Sequence, residues 1–149
     1  TMSGSKVAWL KVNGDFVSEF HWHALAAASQ GVPVVMVSGD KGLCDEIHAI
    51  NPAIRTVAVH EGVGDSTISI HPQVAQRRIR EAAQEAIAGD HGACLLPLPD
   101  RFEVELRFIK HPAAYFASHY PGASLLDPHT IAFQADDYLD VLRMLSFTV

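Results

Sequence analysis

VNGDFVSEFHWHALAAASQGVPVVMVSGD, residues 12–40, holds the best-formed helix pattern of the chain, its most apolar strand and its only dense polar cluster. Asn13-Gly14 is a turn signal that closes the alternating strand pattern KVAWLKV of residues 6–12. Ser18 stands where a helix N-cap is wanted, and Glu19 follows in the first turn, where its charge suits the helix dipole. The helix runs on through Ala24-Leu25-Ala26-Ala27-Ala28, all strong helix formers, and Gly31 stops it with Pro33 just beyond. PVVMVS, residues 33–38, is a short apolar run bounded by turn residues, which reads as a strand buried on both faces, as in parallel sheets. Gly39-Asp40 opens a second helix over residues 41–50, ended by Asn51-Pro52, and IRTVAV at residues 54–59 is a second buried strand. Strand, helix, strand, helix, strand in this order predicts a right-handed crossover sheet with helices on its faces.

Further along, EGVGDSTISIHP at residues 61–72 reads as an ordered loop. Its Gly-Val-Gly is a weak phosphate-loop signal, with no lysine or second glycine pair after it. A long amphipathic helix over residues 73–88 follows, with Val74, Ile79, Ala83 and Ile87 expected to face inward. After a Pro-rich connection at residues 96–100, FEVELRF at residues 102–108 alternates as a strand with one wet face. A short helix near residues 113–118, strands near 124–126 and 130–134, and a helix over 136–145 complete the chain. The expected fold class is α/β: a mixed, mostly parallel sheet with flanking helices over residues 1–92, and a smaller α+β part over residues 93–149 packed on it.

Composition narrows the function classes. At 149 residues, 48% hydrophobic and 19% charged, the chain has the balance of a globular domain that buries its own core. No apolar run reaches the length of a membrane span and no signal-peptide pattern opens the sequence, so the cytoplasm is the expected compartment and no membrane partner is expected. A net charge of −6 with scattered Lys and Arg argues against nucleic acid, because a phosphate-binding face needs clustered cations. Arg77, Arg78 and Arg80 alternate with Glu81 and Glu85 as a solvated helix face. Cys44 and Cys94 have neither metal-type spacing nor a disulfide-rich context, and read as reduced thiols. Nine histidines are many for this length and favour metal or proton chemistry.

The candidate chemistry sits at the start of the first helix, where Glu19, His21, Trp22 and His23 crowd together. At 100° per residue Glu19 and His23 share a face and His21 points elsewhere. A carboxylate and an imidazole four apart can hold a metal or exchange a proton, and the same pair also occurs as a plain solvated face. His60, ending a strand, is a secondary candidate beside the loop at residues 61–65, and Ser66 and Thr67 just after it could donate to a carbonyl. His71 reads as a cap before Pro72. His48, His91, His111, His119 and His129 read as solvated, and Trp9 and Trp22 as core or interface residues.

Val12-Asn13-Gly14 with Val17 and Glu19, GVPVVMVSGD at residues 31–40, TVAV with Glu61-Gly62 at residues 56–62, His71-Pro72 ahead of an Ala/Arg-rich helix, and IAFQADD at residues 131–137 together resemble the zinc-dependent D-aminopeptidases. The blocks lie in order over nearly the whole chain, and they resemble the second half of that family's proteins. The resemblance implies an α/β fold, assembly into large rings, and a two-zinc site built from an N-terminal Asp-x-Glu, two histidines and a helical glutamate. Glu19 matches that last ligand; the matching positions for the others would lie upstream of Thr1. The family's catalytic histidine falls at Gly4, in Met2-Ser3-Gly4-Ser5, while His21 and His23 stand where the family is usually apolar or amide-bearing.

Thr1 ahead of Met2 admits two readings. Met2 is the initiator behind a tag remnant, or Thr1 was freed from a precursor by self-cleavage. A free N-terminal threonine can hydrolyse amides, its hydroxyl attacking the carbonyl while its own α-amine, of pKa roughly 7.7–8.0, takes the proton. The expected function is therefore hydrolysis of a small amide or peptide substrate by the C-terminal subunit of a cleaved or split enzyme. Thr1, His21 and His23 are the catalytic candidates and Glu19 the metal ligand, with zinc or the N-terminal threonine supplying the chemistry. The expected partners are an upstream-encoded N-terminal subunit and further copies in a homo- or hetero-oligomer. The alternative is a non-catalytic assembly or binding module that kept the oligomerising half of the fold.

Overall fold

The structure is a computed structural model that describes residues 4–149. The chain forms two units by its internal contacts, one of Thr1–Ser29 with Leu98–Val149 and the other of Gln30–Pro97.

In the first unit, strand β1 (Val7–Val12) turns back on a short β2 (Asp15–Phe16) through Asn13 and Gly14, both at positive φ (53° and 88°). Asn-Gly suits this two-residue hairpin because asparagine and glycine tolerate the left-handed conformation at least cost. The Asn13 side chain is also used up by the sheet: its Oδ1 accepts from Glu103 N at 2.7 Å and its Nδ2 donates to Arg101 O at 3.0 Å. Those partners sit at the start of β6 (Phe102–Phe108), which pairs antiparallel with β1. With β7 (Ser124–Asp127) and β8 (Thr130–Ala135) the sheet runs β2-β1-β6-β8-β7. Every pairing in it is antiparallel. Phe102, Val104, Leu106 and Phe108 are buried while Glu103 is exposed, as the alternation predicts.

Onto this sheet pack α4 (His111–Ala117) and α5 (Tyr138–Thr148), and α1 (Glu19–Ser29) packs on α5. Val141, Met144 and Leu145 of α5 are almost wholly buried in one core with Leu10, Leu25, Leu106, Phe108 and Ile131. Asp137 caps α5, its carboxylate accepting from Leu139 N at 2.9 Å.

The second unit holds β3 (Met36–Asp40), α2 (Lys41–Ile50), β4 (Arg55–Val63), β5 (Ser66–Ser69) and α3 (Pro72–Ala88). Its sheet is β3-β4-β5, with β3 and β4 parallel around α2 and β4 and β5 antiparallel. Asp40 caps α2 by accepting from Leu43 N at 3.0 Å, and Ile47 on its inner face is fully buried. A 3-10 turn at Gly92–Cys94 follows α3, and the Cys94 thiol donates to Ala53 O at 3.4 Å. Cys44 and Cys94 are both free and buried.

The α/β class holds, and three expectations are corrected. The sheet is not mostly parallel: β1 joins β6 from the far end of the sequence, and β3 with β4 is the one parallel pair among the described residues. The pairing of β1 with β6 groups the opening residues with the last third by contacts. Residues 61–72 are not a loop: β4 runs through to Val63 and turns at Gly64 (φ 59°) into β5. Residues 61–69 are all exposed, so the hairpin has no apolar alternation to announce it. Ile87 is 71% exposed and not inward, its place on α3 being taken by buried Ala86. No helix among the described residues is long and apolar enough to cross a membrane.

Candidate active-site helix

The entry to α1 is built by Ser18, whose Oγ accepts from His21 N at 3.2 Å, as an N-cap does. Glu19 is therefore the first helical residue, half-buried, with its carboxylate over the positive end of the helix dipole. His21 is half-buried as well, whereas His23 is exposed and lies flat against Trp22, with ring centroids 5.0 Å apart and planes 9° from parallel. The helix is anchored from below by Tyr138, whose hydroxyl donates to Trp22 O at 2.9 Å. Burial pushes the Tyr138 phenol far above its ordinary range, so it stays protonated and donates at every working pH.

Trp22 is the residue whose weight the sequence understates. Its indole Nε1 is buried with no hydrogen-bond partner among the described residues, although buried indoles usually find one. Nothing in the sequence distinguishes it from any other tryptophan on an Ala-rich helix.

The structure brings Glu19, His21 and His23 to one helical turn, within one unit, and places His60 in the other. His60 is half-buried and, with Lys41, Glu61, Ile68 and Ser69, borders a cavity of about 200 Å³. Lys41 in that cavity is paired to Asp45 at 2.6 Å, which raises its pKa. His71 is the cap it was expected to be, its Nδ1 accepting from Gln73 N at 3.3 Å. His48, His91, His111 and His119 are exposed; His129 is half-buried, with its Nδ1 3.2 Å from Phe108 O. Ser66 and Thr67 lie on the exposed β5 strand. Thr1, Met2 and Ser3 lie outside the described residues, and Gly4, where the family histidine would fall, is exposed, with nothing within 4 Å of a β-carbon built on it.

A zinc site needs three or four converging donors. Among the described residues no three His, Cys, Asp or Glu side chains come together as one, so the described residues do not by themselves fit a zinc ion.

The ordered blocks at residues 12–19, 31–40, 56–62, 71–72 and 131–137 are what resembles the D-aminopeptidases in the sequence, and comparison with known proteins agrees. The family model described as D-aminopeptidase matches residues 1–147, and the chain belongs to that family. Among solved structures it is similar to the Zn-dependent D-aminopeptidase DppA from Bacillus subtilis, described as a self-compartmentalizing protease, with 26% identity and a TM-score of 0.88. The likeness covers 96% of this chain and 53% of that one, so the chain spans about half the length of this relative. No curated protein matches the chain.

Proposed function

We propose that this chain is the second half of a peptide-bond hydrolase, cutting small peptides or amides, whose site is completed by an upstream-encoded polypeptide supplying the other half of the fold. The observation that carries this reading is the unbroken likeness to D-aminopeptidases over residues 1–147, with Glu19 set by the Ser18 cap at the start of a firmly anchored helix. In this reading Glu19 is the carboxylate that this half contributes to a zinc site, and the remaining donors come from the other half. His21, half-buried two residues on, is the candidate proton carrier, and His23 is held in place by its stack on Trp22. Self-association is part of the proposal, since DppA is described as self-compartmentalizing.

The test is metal content and hydrolysis of a short peptide with an N-terminal D-residue, measured on the chain together with the upstream-encoded polypeptide. Glu19→Ala is expected to lose zinc and to lower activity at least about a hundred-fold, beyond the roughly 10–100-fold cost of losing a residue that only supports a metal ligand. Chelator-resistant activity abolished by Thr1→Ala would move the chemistry to an N-terminal threonine nucleophile. Absence of hydrolysis with zinc present would leave the assembly or binding module.

A further inference from the structure

A cavity of about 380 Å³ opens in the first unit between the start of β1 and the helices α4 and α5, and no residue of α1 lines it. That size falls within the range of small-ligand pockets, about 300–1,000 Å³. Phe108, 1% exposed, forms its floor, and Phe116 of α4, Phe147 of α5 and Tyr120 form its walls. Tyr120 and Phe147 stack, with ring centroids 6.2 Å apart and planes 30° from parallel. Phe116 and Phe147 are 75% and 78% exposed. Single exposed apolar side chains are ordinary; two phenylalanines brought from different helices to one concave site, over a third that is buried, are not.

The polar groups at this cavity say which ligand suits it. Thr148 donates its hydroxyl to Met144 O at 2.9 Å, and His119 donates from Nδ1 to Tyr115 O at 2.8 Å. Lys6 supplies the one permanent charge. Its backbone is fixed by Ile109 N, which donates to Lys6 O at 2.9 Å, while its ammonium pairs with no carboxylate among the described residues. No Asp or Glu lines the cavity, although the chain has 17 of them against 11 Lys and Arg. We infer that this cavity binds a small aromatic carboxylate, with its ring among Phe116, Phe147 and Tyr120 and its carboxylate on Lys6. Ring-on-ring contact and a charge-assisted hydrogen bond are the two attractions such a ligand makes here. Aromatic faces alone would also draw a cation, but the Lys6 ammonium repels one. The same chemistry occurs in a free aryl acid and at the C-terminal aromatic residue of a peptide. The inference does not rest on the functional reading above.

Titration of the intact protein followed by NMR tests it, with 3-phenylpropionate, phenethylamine and the tripeptide Gly-Gly-Phe as probes. The acid is expected to bind saturably, with a Kd on the order of 1 mM or tighter for so small a ligand, and to shift the ring signals of Phe116, Tyr120 and Phe147. The amine should bind at least about ten-fold more weakly, as should the acid to Lys6→Gln, the scale of one charge-assisted hydrogen bond. Phe147→Ser changes a side chain that is already exposed and should weaken the acid as well, whereas Phe16→Ser, exposed elsewhere in the same unit, should leave it unchanged. Tighter binding of Gly-Gly-Phe than of the acid assigns the site to peptide C-termini, and the reverse assigns it to free aryl acids; either supports the inference. Should Lys6→Gln or Phe147→Ser unfold, the comparison of acid with amine on the wild type decides alone. No saturation up to about 10 mM acid overturns the inference, as does an amine that binds equally well or binding that survives both Lys6→Gln and Phe147→Ser. Ring signals that respond to the concentration of the protein and not to the acid also overturn it, and would make the occupant a second copy.

Discussion

The two units are built from the same kinds of residue and differ in how far they close their own core. The first has a five-stranded antiparallel sheet with one face under α4 and α5, and the inward residues of its three central strands, β1, β6 and β8, are buried. The second has three strands, one of them fully exposed and another an edge with no charge before Asp40. Antiparallel sheets are stable with one wet face, whereas parallel pairs ordinarily need cover on both. Apolar content alone therefore does not say whether a strand is satisfied.

The sharpest way to break that contrast is to cut one apolar residue from each unit. Leu106→Ala, at a site with no exposure in the centre of the first sheet, is expected to cost about 2–5 kcal/mol by denaturant unfolding. Ile68→Ala on β5, 66% exposed, should change stability by no more than about 0.5 kcal/mol. Equal losses at the two positions would mean that the exposed hairpin is covered in solution. An effect between these two is expected of Tyr138→Phe, which leaves the Trp22 carbonyl without its hydroxyl donor and should cost about 1 kcal/mol. Its signature is faster amide exchange over the first turns of α1 with the sheet unchanged.

The smallest expected effect is electrostatic and belongs to the edge of the closed unit. Asp127 accepts from His129 N at 2.7 Å and pairs with Arg107 at 3.0 Å, and its pKa is lowered chiefly by the His129 hydrogen bond, then by Thr130 and Arg107. A carboxylate depressed in the folded state contributes stability above its unfolded pKa of about 3.9 and loses it as pH falls through the folded value. Wild type should therefore lose a small increment of stability below about pH 4 that Asp127→Asn does not lose, as read by thermal unfolding across pH. A parallel decline in both proteins would assign acid sensitivity elsewhere.

Much of this was legible residue by residue. Asp40 before a helix-forming run marked α2 at residues 41–50, and the alternation of FEVELRF marked β6, because each signal is local. Pairing was not legible: Asn13 meets Glu103 across 90 positions, and no periodicity in either strand names the other. The hairpin of β4 and β5 was missed because a strand wet on both faces has no hydrophobic period. At the site, Ser18 and Glu19 could be read from capping chemistry, and the family resemblance was carried by short ordered blocks. The stacking of His23 on Trp22 depends on side-chain rotamers that sequence does not give, and the tether from Tyr138 to Trp22 joins residues 116 positions apart.

The Asn13–Glu103 link also sets an order of events during synthesis. Residues 30–97, the whole second unit, leave the ribosome between the two strands that must pair. At about 5–20 residues per second, β1 waits roughly 5–20 seconds for β6, while β3, β4 and β5 find one another within the second unit. The unit with the better core is thus the later to form, and the chain spends that interval with the β6 side of VAWLKV unpaired and available to whatever holds nascent strands.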